Sequence, residues 1–388
     1  MLIVLDEIQW IAKRQSGILG ALKEFWERVH HASRIKLILS GSSNRFFASD
    51  VDHPEGVLRG LRTRGDLTLP PFTLSEVKQY YFPHWGCEEV ALVYMMVGGI
   101  PYYLENITAN APFLRALNTA FFTPDSIFLD EIDAMLRIET TGEGAVQNVK
   151  RVMSALGYDG RPAVKIEERT GLGCTSVHGI LARLESYGLI KSRKPCGGNR
   201  QNRAGVRYYM DDFYLNTYFS LLEPLSQRIR SNRKQGMLVN DVIQSKTGYF
   251  IRDFTGNAFE LLLKRVLEAG VYDVSARSIG IFKALGVGDS NIEISTYYIP
   301  EETQIDLLLT CHDCRQICVI EAKWKASAVD RQECLAFVQS VTNKPYPLPG
   351  KNWHRRNFLA LSNGATPEGL NVASENQVVV ITLKDLFE

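Results

Sequence analysis

The sequence predicts an α/β protein made of successive modules. Three observations carry that prediction. A run of branched apolar residues closes on two acids at positions 2–7. Helical periodicity and a basic, glycine-containing loop fill 139–210. Near the end, an acid set into an apolar strand precedes a hairpin and a Glu-x-Lys triplet at 305–323.

The 388 residues predict two or three domains. An apolar fraction of 45% and a charged fraction of 22% are those of an ordinary globular protein, with material for more than one core. Net charge is +1, so affinity for nucleic acid must come from a local basic patch. No apolar run approaches the roughly 20 residues of a membrane-spanning helix, so no membrane partner is expected. The first residues turn acidic after Leu5, which does not match a signal peptide. Seven scattered cysteines, an odd number without a disulfide-like framework, predict a reducing cytoplasm and ordinary thiols.

Leu2-Ile3-Val4-Leu5 predicts a strand buried on both faces, with Asp6 and Glu7 at its carboxyl end. Ile18, Leu22, Phe25 and Val29 recur at helical spacing. Ile35 to Leu39 predicts a second buried strand that runs into Ser40-Gly41-Ser42-Ser43-Asn44. Strand, helix and strand in this order make a βαβ unit, whose ligands bind at the carboxyl ends of the strands. Asp6, Glu7 and the Ser/Asn cluster then share one edge. An acid there suits a Mg²⁺ that bridges nucleotide phosphates, and a second acid suits activation of water. An acid pair after a buried strand is also common in α/β proteins without that role.

These residues resemble the archaeal-type ATPases, a branch of the AAA+/STAND proteins. Asp6-Glu7-Ile8-Gln9-Trp10 is similar to their Walker B segment, and Leu39-Ser40-Gly41-Ser42-Ser43 to their sensor 1. Leu58-Arg59-Gly60-Leu61-Arg62, followed by Leu67-Thr68-Leu69-Pro70-Pro71-Phe72, looks like their Gly-Arg and Leu-x-Pro-Phe region. Gly98-Gly99-Ile100-Pro101-Tyr102-Tyr103-Leu104 resembles their lid segment, where a helix stops and restarts. The resemblance implies a partial P-loop ATPase sheet at 1–85 and a helical lid at 86–138. It implies ATP and Mg²⁺ as cofactors, with Asp6 and Glu7 as catalytic acids and Asp6 as a metal ligand. Ser42, Asn44 and Arg62 would contact phosphate, with Arg59 an alternative to Arg62. The P-loop itself, Gly-x4-Gly-Lys-Ser/Thr, does not occur: the one Gly-Lys pair, Gly350-Lys351, precedes Asn352 and has Pro345 in place of the first glycine. A miscalled start, a fragment and a separate chain supplying the first βα unit are the competing explanations. As given, the chain should bind ATP weakly or not at all, and a sheet missing its first strand and helix predicts an exposed apolar edge. Self-association into rings is a further partner state that the resemblance permits.

From Glu139 to Met210 the pattern predicts a winged helix-turn-helix. Val146, Val149, Val152, Met153 and Leu156 mark one helix, Val164 to Thr170 a second that ends at Gly171, and a third runs from an N-cap at Thr175 to Gly188. Leu189-Ile190 and Arg207 to Met210 predict the hairpin. The loop between them carries Arg193, Lys194, Arg200, Arg203 and Arg207 without an acid, a composition suited to DNA phosphates. Ser176, His178 and Arg183 are expected on the exposed face of the third helix. Basic loops of this kind also serve as protein-docking surfaces.

The last module, 211–388, is predicted as a helical connector and an α/β domain. A helix is expected from Gly248 to Ala269, and strands at Ile292–Ile299, Ile305–Leu309, Ile317–Lys323, Trp353–Ser362 and Val378–Leu383. Residues i and i+2 of a strand share a face, so Glu321 and Lys323 point together, and the hairpin brings Asp306 alongside. Two carboxylates can hold Mg²⁺ or Mn²⁺, which supplies charge and an activated water for phosphodiester chemistry. The lysine adds positive charge, and Glu260 is a further candidate ligand. This constellation resembles the PD-(D/E)XK nuclease-like domains, of restriction-endonuclease-like fold, including one that follows archaeal-type ATPases. Cys311-His312-Asp313-Cys314 offers half a zinc site without its second half, so turn thiols are expected there. The functional expectation is an ATPase-family protein acting on nucleic acid. A metal-dependent DNA nuclease with a vestigial ATPase half, and a non-catalytic docking protein, are the alternatives.

Overall fold

The computed structural model describes residues 1–9, 17–30, 34–41, 56–58, 67, 69–139, 143–157, 160–194, 206–231, 254–272, 280–288, 290–299, 303–346 and 348–388. The fold is α/β. Two compact units form: Met1–Pro70 with Ala182–Leu189, and Pro71–Leu181 with Ile190–Glu388. Among the described residues no helix is long and apolar enough to cross a membrane.

In the first unit, strand β1 (Leu2–Leu5) pairs in parallel with β2 (Lys36–Leu39), and helix α1 (Ile18–Val29) connects them in sequence. Ile8, Leu19 and Leu58 form a small core, with Leu5, Ile18, Leu22 and Leu39 packed against it. The expectation that β1 is buried on both faces is corrected. Leu2, Val4 and Ile38 are exposed, because two strands and one helix cover a single face of this sheet among the described residues.

The second unit begins with helices. A one-turn helix at Leu74–Glu76, closed by a Thr73/Glu76 capping box, leads through a wide turn to α2 (Cys87–Val97). The chain stops at Gly98-Gly99 and restarts as α3 (Pro101–Glu105), with proline in the first turn, where its missing N–H costs nothing. Helices α4 (Phe113–Phe121) and α5 (Ile127–Glu139) follow. Gly99 is required by close approach. Phe72 N donates to Gly99 O at 2.9 Å, and a Cβ at position 99 would overlap the Phe72 carbonyl. Gly99→Ala is expected to cost about 1–3 kcal/mol or more in urea unfolding. Gly144→Ala, at a helical site with nothing within 4 Å, should be neutral or stabilising. Equal effects of the two would refute the packing account.

The next elements lie close to their expected positions: α6 (Glu143–Leu156), α7 (Ala163–Thr170) and α8 (Cys174–Ser186). Gly171 ends α7 in the left-handed conformation (φ 66°). Helix α8 already includes Thr175, so the sequence-based N-cap there is one residue or more too late. A small sheet of order β3-β5-β4 joins β3 (Arg161–Pro162), β4 (Ile190–Arg193) and β5 (Arg207–Met210), all antiparallel. Asp212 caps α9 (Phe213–Thr217) by accepting from Leu215 N at 2.8 Å, and the helix continues through a π turn into α10 (Glu223–Ser231). This stretch packs onto the preceding helices: the Tyr214 hydroxyl donates to Phe128 O at 3.0 Å, and the Tyr214 ring meets Tyr103.

The carboxy-terminal part holds a five-stranded mixed sheet of order β10-β9-β8-β7-β6. Strands β6 (Ile292–Ile299), β7 (Thr303–Cys311) and β8 (Gln316–Lys323) form an antiparallel meander. Strands β9 (His354–Leu361) and β10 (Val378–Thr382) continue in parallel from β8. Among the described residues, helices α11 (Thr255–Tyr272), α12 (Gly280–Leu285), α13 (Arg331–Asn343) and α14 (Pro367–Glu375) accompany it. Helix α11 is described from Thr255 and runs to Tyr272, three residues past the expected end; 248–253 lie outside the described residues. Ile305, Leu308, Ile317, Val319, Leu359 and Leu361 form one core with residues of α13 and α14. The alternate β8 residues Cys318, Ile320 and Ala322 are buried too, and α11 packs against β6, β7 and β8. Burial on both faces is what makes β7 and β8 nearly unbroken apolar runs.

Candidate functional site

The site lies where β7 and β8 part. Ser295 pairs with Leu308 but Tyr297 pairs with Ile305, so Asp306 and Leu307 lie opposite the single residue Thr296. This is a β-bulge, a device that re-aims a side chain. It explains why Ile305 and Leu308, three apart, join one core. The β7–β8 pairing begins at Leu307 with Ile320. Just beyond it the Asp306 side chain takes over: Oδ2 accepts from Ala322 N at 2.9 Å.

Asp306 and Glu321 are both buried. Lys323 Nζ lies 2.8 Å from Glu321 Oε1 and 3.8 Å from Asp306 Oδ2. The expected grouping of Asp306, Glu321 and Lys323 is therefore present. Burial, and then the nearby Glu321 charge, push the Asp306 carboxyl above its ordinary range. Burial pushes the Lys323 ammonium down, but Asp306 and Glu321 outweigh it and hold it above its ordinary value, with Glu260 on α11 adding to the effect. Glu260 thus acts on the site electrostatically. Nearby, Trp324 packs edge-on against Phe259 of the same helix, with ring centres 5.4 Å apart.

Lys344 was missed from the sequence. It follows the last turn of α13 and forms an ion pair with Glu321 Oε2. Arg355 on β9 holds that helix end by donating to Val341 O at 2.6 Å and Lys344 O at 2.7 Å. No motif spacing signals Lys344, because its link to Glu321 is made by the fold. Two buried acids and two lysines thus share one end of the sheet, and the acids occupy it only with cationic compensation.

The other candidates are dispersed. Asp6 is exposed and accepts the Ser40 hydroxyl across the β1–β2 edge, as a shared edge predicts. Glu7 has a left-handed backbone (φ 50°) and accepts from the Gln9 amide. Ser42, Asn44, Arg59, Arg62, Arg200 and Arg203 lie outside the described residues. On the hairpin, Arg193 stacks over the Tyr209 ring at 5.2 Å, Lys194 is exposed and Arg207 is half-buried. Ser176 is exposed as expected, whereas His178 and Arg183 are half-buried. The expectation of free thiols at the β7–β8 turn is corrected. Cys311 and Cys314 are joined as a disulfide, since the tight turn brings their Cα atoms to 5.6 Å. Neither sulfur is then available to zinc.

No protein-family model matches the chain. The chain is 24% identical over 324 residues to the uncharacterized protein MJECL04 of Methanocaldococcus jannaschii, covering 84% of this chain and 67% of that one. Among solved structures it is similar to protein VC1899 from Vibrio cholerae, at 13% identity over 71% of this chain. The chain spans about 59% of that protein's length, and the TM-score of 0.24 does not equate the two folds.

Proposed function

We propose that the carboxy-terminal module is a divalent-metal-dependent phosphodiester-cleaving site of the PD-(D/E)XK nuclease-like type, in a chain that acts on nucleic acid. The observation that carries this is the convergence of buried Asp306 and Glu321 with Lys323 at a bulge. The donors fit a hard cation. Both are carboxylates; burial first, and then the Glu321 charge, raise the Asp306 pKa, and a divalent charge would offset both. Bound Mg²⁺ or Mn²⁺ would supply Lewis-acid stabilisation of a phosphoryl oxygen and a more acidic water. Asp306 and Glu321 would hold it, with Glu260 as a further carboxylate beside the site. Lys323, kept protonated by its acidic neighbours, places a fixed positive charge where the phosphodiester gains negative charge. Lys344, ion-paired with Glu321, would add a second positive charge beside a cation held there. Cleavage of single- and double-stranded DNA with Mg²⁺ or Mn²⁺ is the test, with Asp306 and Glu321 variants as controls.

ATP chemistry finds less support. Asp6 and Ser40 occupy one edge, as the resemblance to archaeal-type ATPases requires, but the sequence has no P-loop to cradle phosphates.

The three helices α6 to α8 and the β4–β5 hairpin serve, in this reading, as a winged helix-turn-helix. Its basic loop would follow the DNA backbone, with Arg193, Lys194 and Arg207 at its base. Neutralising Arg200 and Arg203 together should weaken DNA binding and reduce the slope of log K against log salt by about 2, roughly one unit per phosphate contact. An unchanged slope would favour protein docking.

A further inference from the structure

The turn between α7 and α8 gathers three different metal-binding side chains. Glu167 lies in the last part of α7 (Ala163–Thr170), and Cys174 and His178 lie one turn apart on α8 (Cys174–Ser186). Spacing of four places Cys174 and His178 on one helix face. Gly171 makes the reversal possible: its left-handed backbone closes α7 with Gly171 N donating to Glu167 O at 2.8 Å. The chain then folds back within three residues.

One donor atom from each side chain lies within 4.8 Å of the other two. Cys174 Sγ is 3.6 Å from His178 Nδ1, and His178 Nδ1 is 3.7 Å from Glu167 Oε1. A tetrahedral zinc ion, about 2.3 Å from sulfur and roughly 2.0–2.1 Å from nitrogen and oxygen, requires its donors about 3.3–3.6 Å apart. The observed separations need only small adjustment. Glu167 Oε1 is also buried within the cluster and makes no regular hydrogen bond there. His178 Nδ1 meanwhile lies 3.1 Å from Cys174 O.

We propose that Glu167, Cys174 and His178 form a zinc site that clamps the turn between α7 and α8, with a fourth position left to water or a partner's side chain. Thiolate and imidazole donors select Zn²⁺ or Co²⁺ over Mg²⁺, so this site and the all-carboxylate site at Asp306 take different metals. Zinc is held by a thiolate, so the Cys174 thiol would give up its proton to bind it. The metal replaces that proton, which is released on binding. By joining two consecutive helices, the ion fixes the angle between them.

Co²⁺ titration of the full-length chain, followed by absorbance, is the test. One high-affinity Co²⁺ per chain should give a thiolate-to-cobalt charge-transfer band that Zn²⁺ displaces. Cys174→Ser should abolish the band, and Glu167→Gln and His178→Gln should each weaken binding at least about tenfold. Asp306→Ala should leave the band unchanged, because its site lacks sulfur. These three positions are exposed or half-buried, so the variants are expected to fold, and circular dichroism checks that they do. Absence of a band in the unmodified chain, or its persistence in Cys174→Ser, overturns the proposal; persistence would assign the thiolate to another cysteine.

Discussion

Asp306→Asn and Glu321→Gln are each expected to reduce metal-dependent DNA cleavage at least about a hundredfold, the scale set by losing a group that positions the charge stabiliser. Amides are preferred to alanine for physical reasons. In Asp306→Asn the side-chain carbonyl can still accept from Ala322 N, keeping the bond that replaces the strand ladder at the bulge. In Glu321→Gln the amide oxygen can still accept from Lys323 or Lys344, whereas alanine would leave two ammonium groups facing each other. The stability readout separates a lost metal ligand from a damaged fold. Asp306 holds its proton more tightly folded than unfolded, because burial and Glu321 raise its pKa. The folded chain therefore gains stability as pH falls, and loses it as pH rises from the ordinary carboxylate range through the raised value. Above that window Asp306→Asn removes the penalty. It should melt higher than the unmodified protein near neutral pH without metal, and the gain should vanish in acid. Mg²⁺ should raise the melting temperature of the unmodified chain and not that of Asp306→Asn. A folded protein that cleaves nothing with either metal, or variants that cleave normally, would remove the nuclease assignment.

The grouping of Asp306, Glu321 and Lys323 was legible because two short-range rules suffice: alternation along a strand and closeness across a hairpin. Neither rule reveals the bulge, which arises from pairing with β6, or Lys344, which arrives from a helix end 23 residues after Glu321. Strand β6 was placed by its alternation, and β7 and β8 to within a few residues because burial on both faces leaves nearly unbroken apolar runs. For β1 the same pattern misled: Leu2 and Val4 are apolar yet exposed, since a sequence run records hydrophobicity and not what covers it. The Glu167–Cys174–His178 cluster escaped notice because it joins two helices across a turn. Only Cys174 and His178 have a diagnostic spacing, and a lone Cys-x3-His pair is weak.

Asp211 carries the largest stability effect expected in the chain. Its side chain is 1% exposed and meets Lys264 at 2.7 Å and Arg265 at 3.0 Å, with Lys191 completing the ring of cations. Burial pushes the carboxyl up, but Lys264, Arg265 and Lys191 outweigh it and hold its pKa below the ordinary range. Asp211→Ala removes the acid and leaves two poorly solvated cations beside each other. Breaking a buried pair this way costs about 3–5 kcal/mol. The lower end is expected, because Glu268 lies 3.0 Å from Arg265 and 3.8 Å from Lys264 and compensates in part. The native contribution of Asp211 is complete above its unfolded pKa and lost as pH falls through the lowered folded value. The variant's deficit should therefore shrink only in strong acid. A double-mutant cycle with Lys264→Met measured by urea unfolding should return a coupling of at least about 1 kcal/mol, within the range for groups in one charge network. Additive losses would mean that Asp211 acts through backbone placement alone. The geometry argues for coupling: Lys191 comes from β4, Asp211 follows β5, and Lys264 and Arg265 belong to α11, so one carboxylate ties the hairpin to the helix that packs against the five-stranded sheet. Loosening that tie should lower the unfolding midpoint of both elements together while leaving the Asp306 site chemically intact.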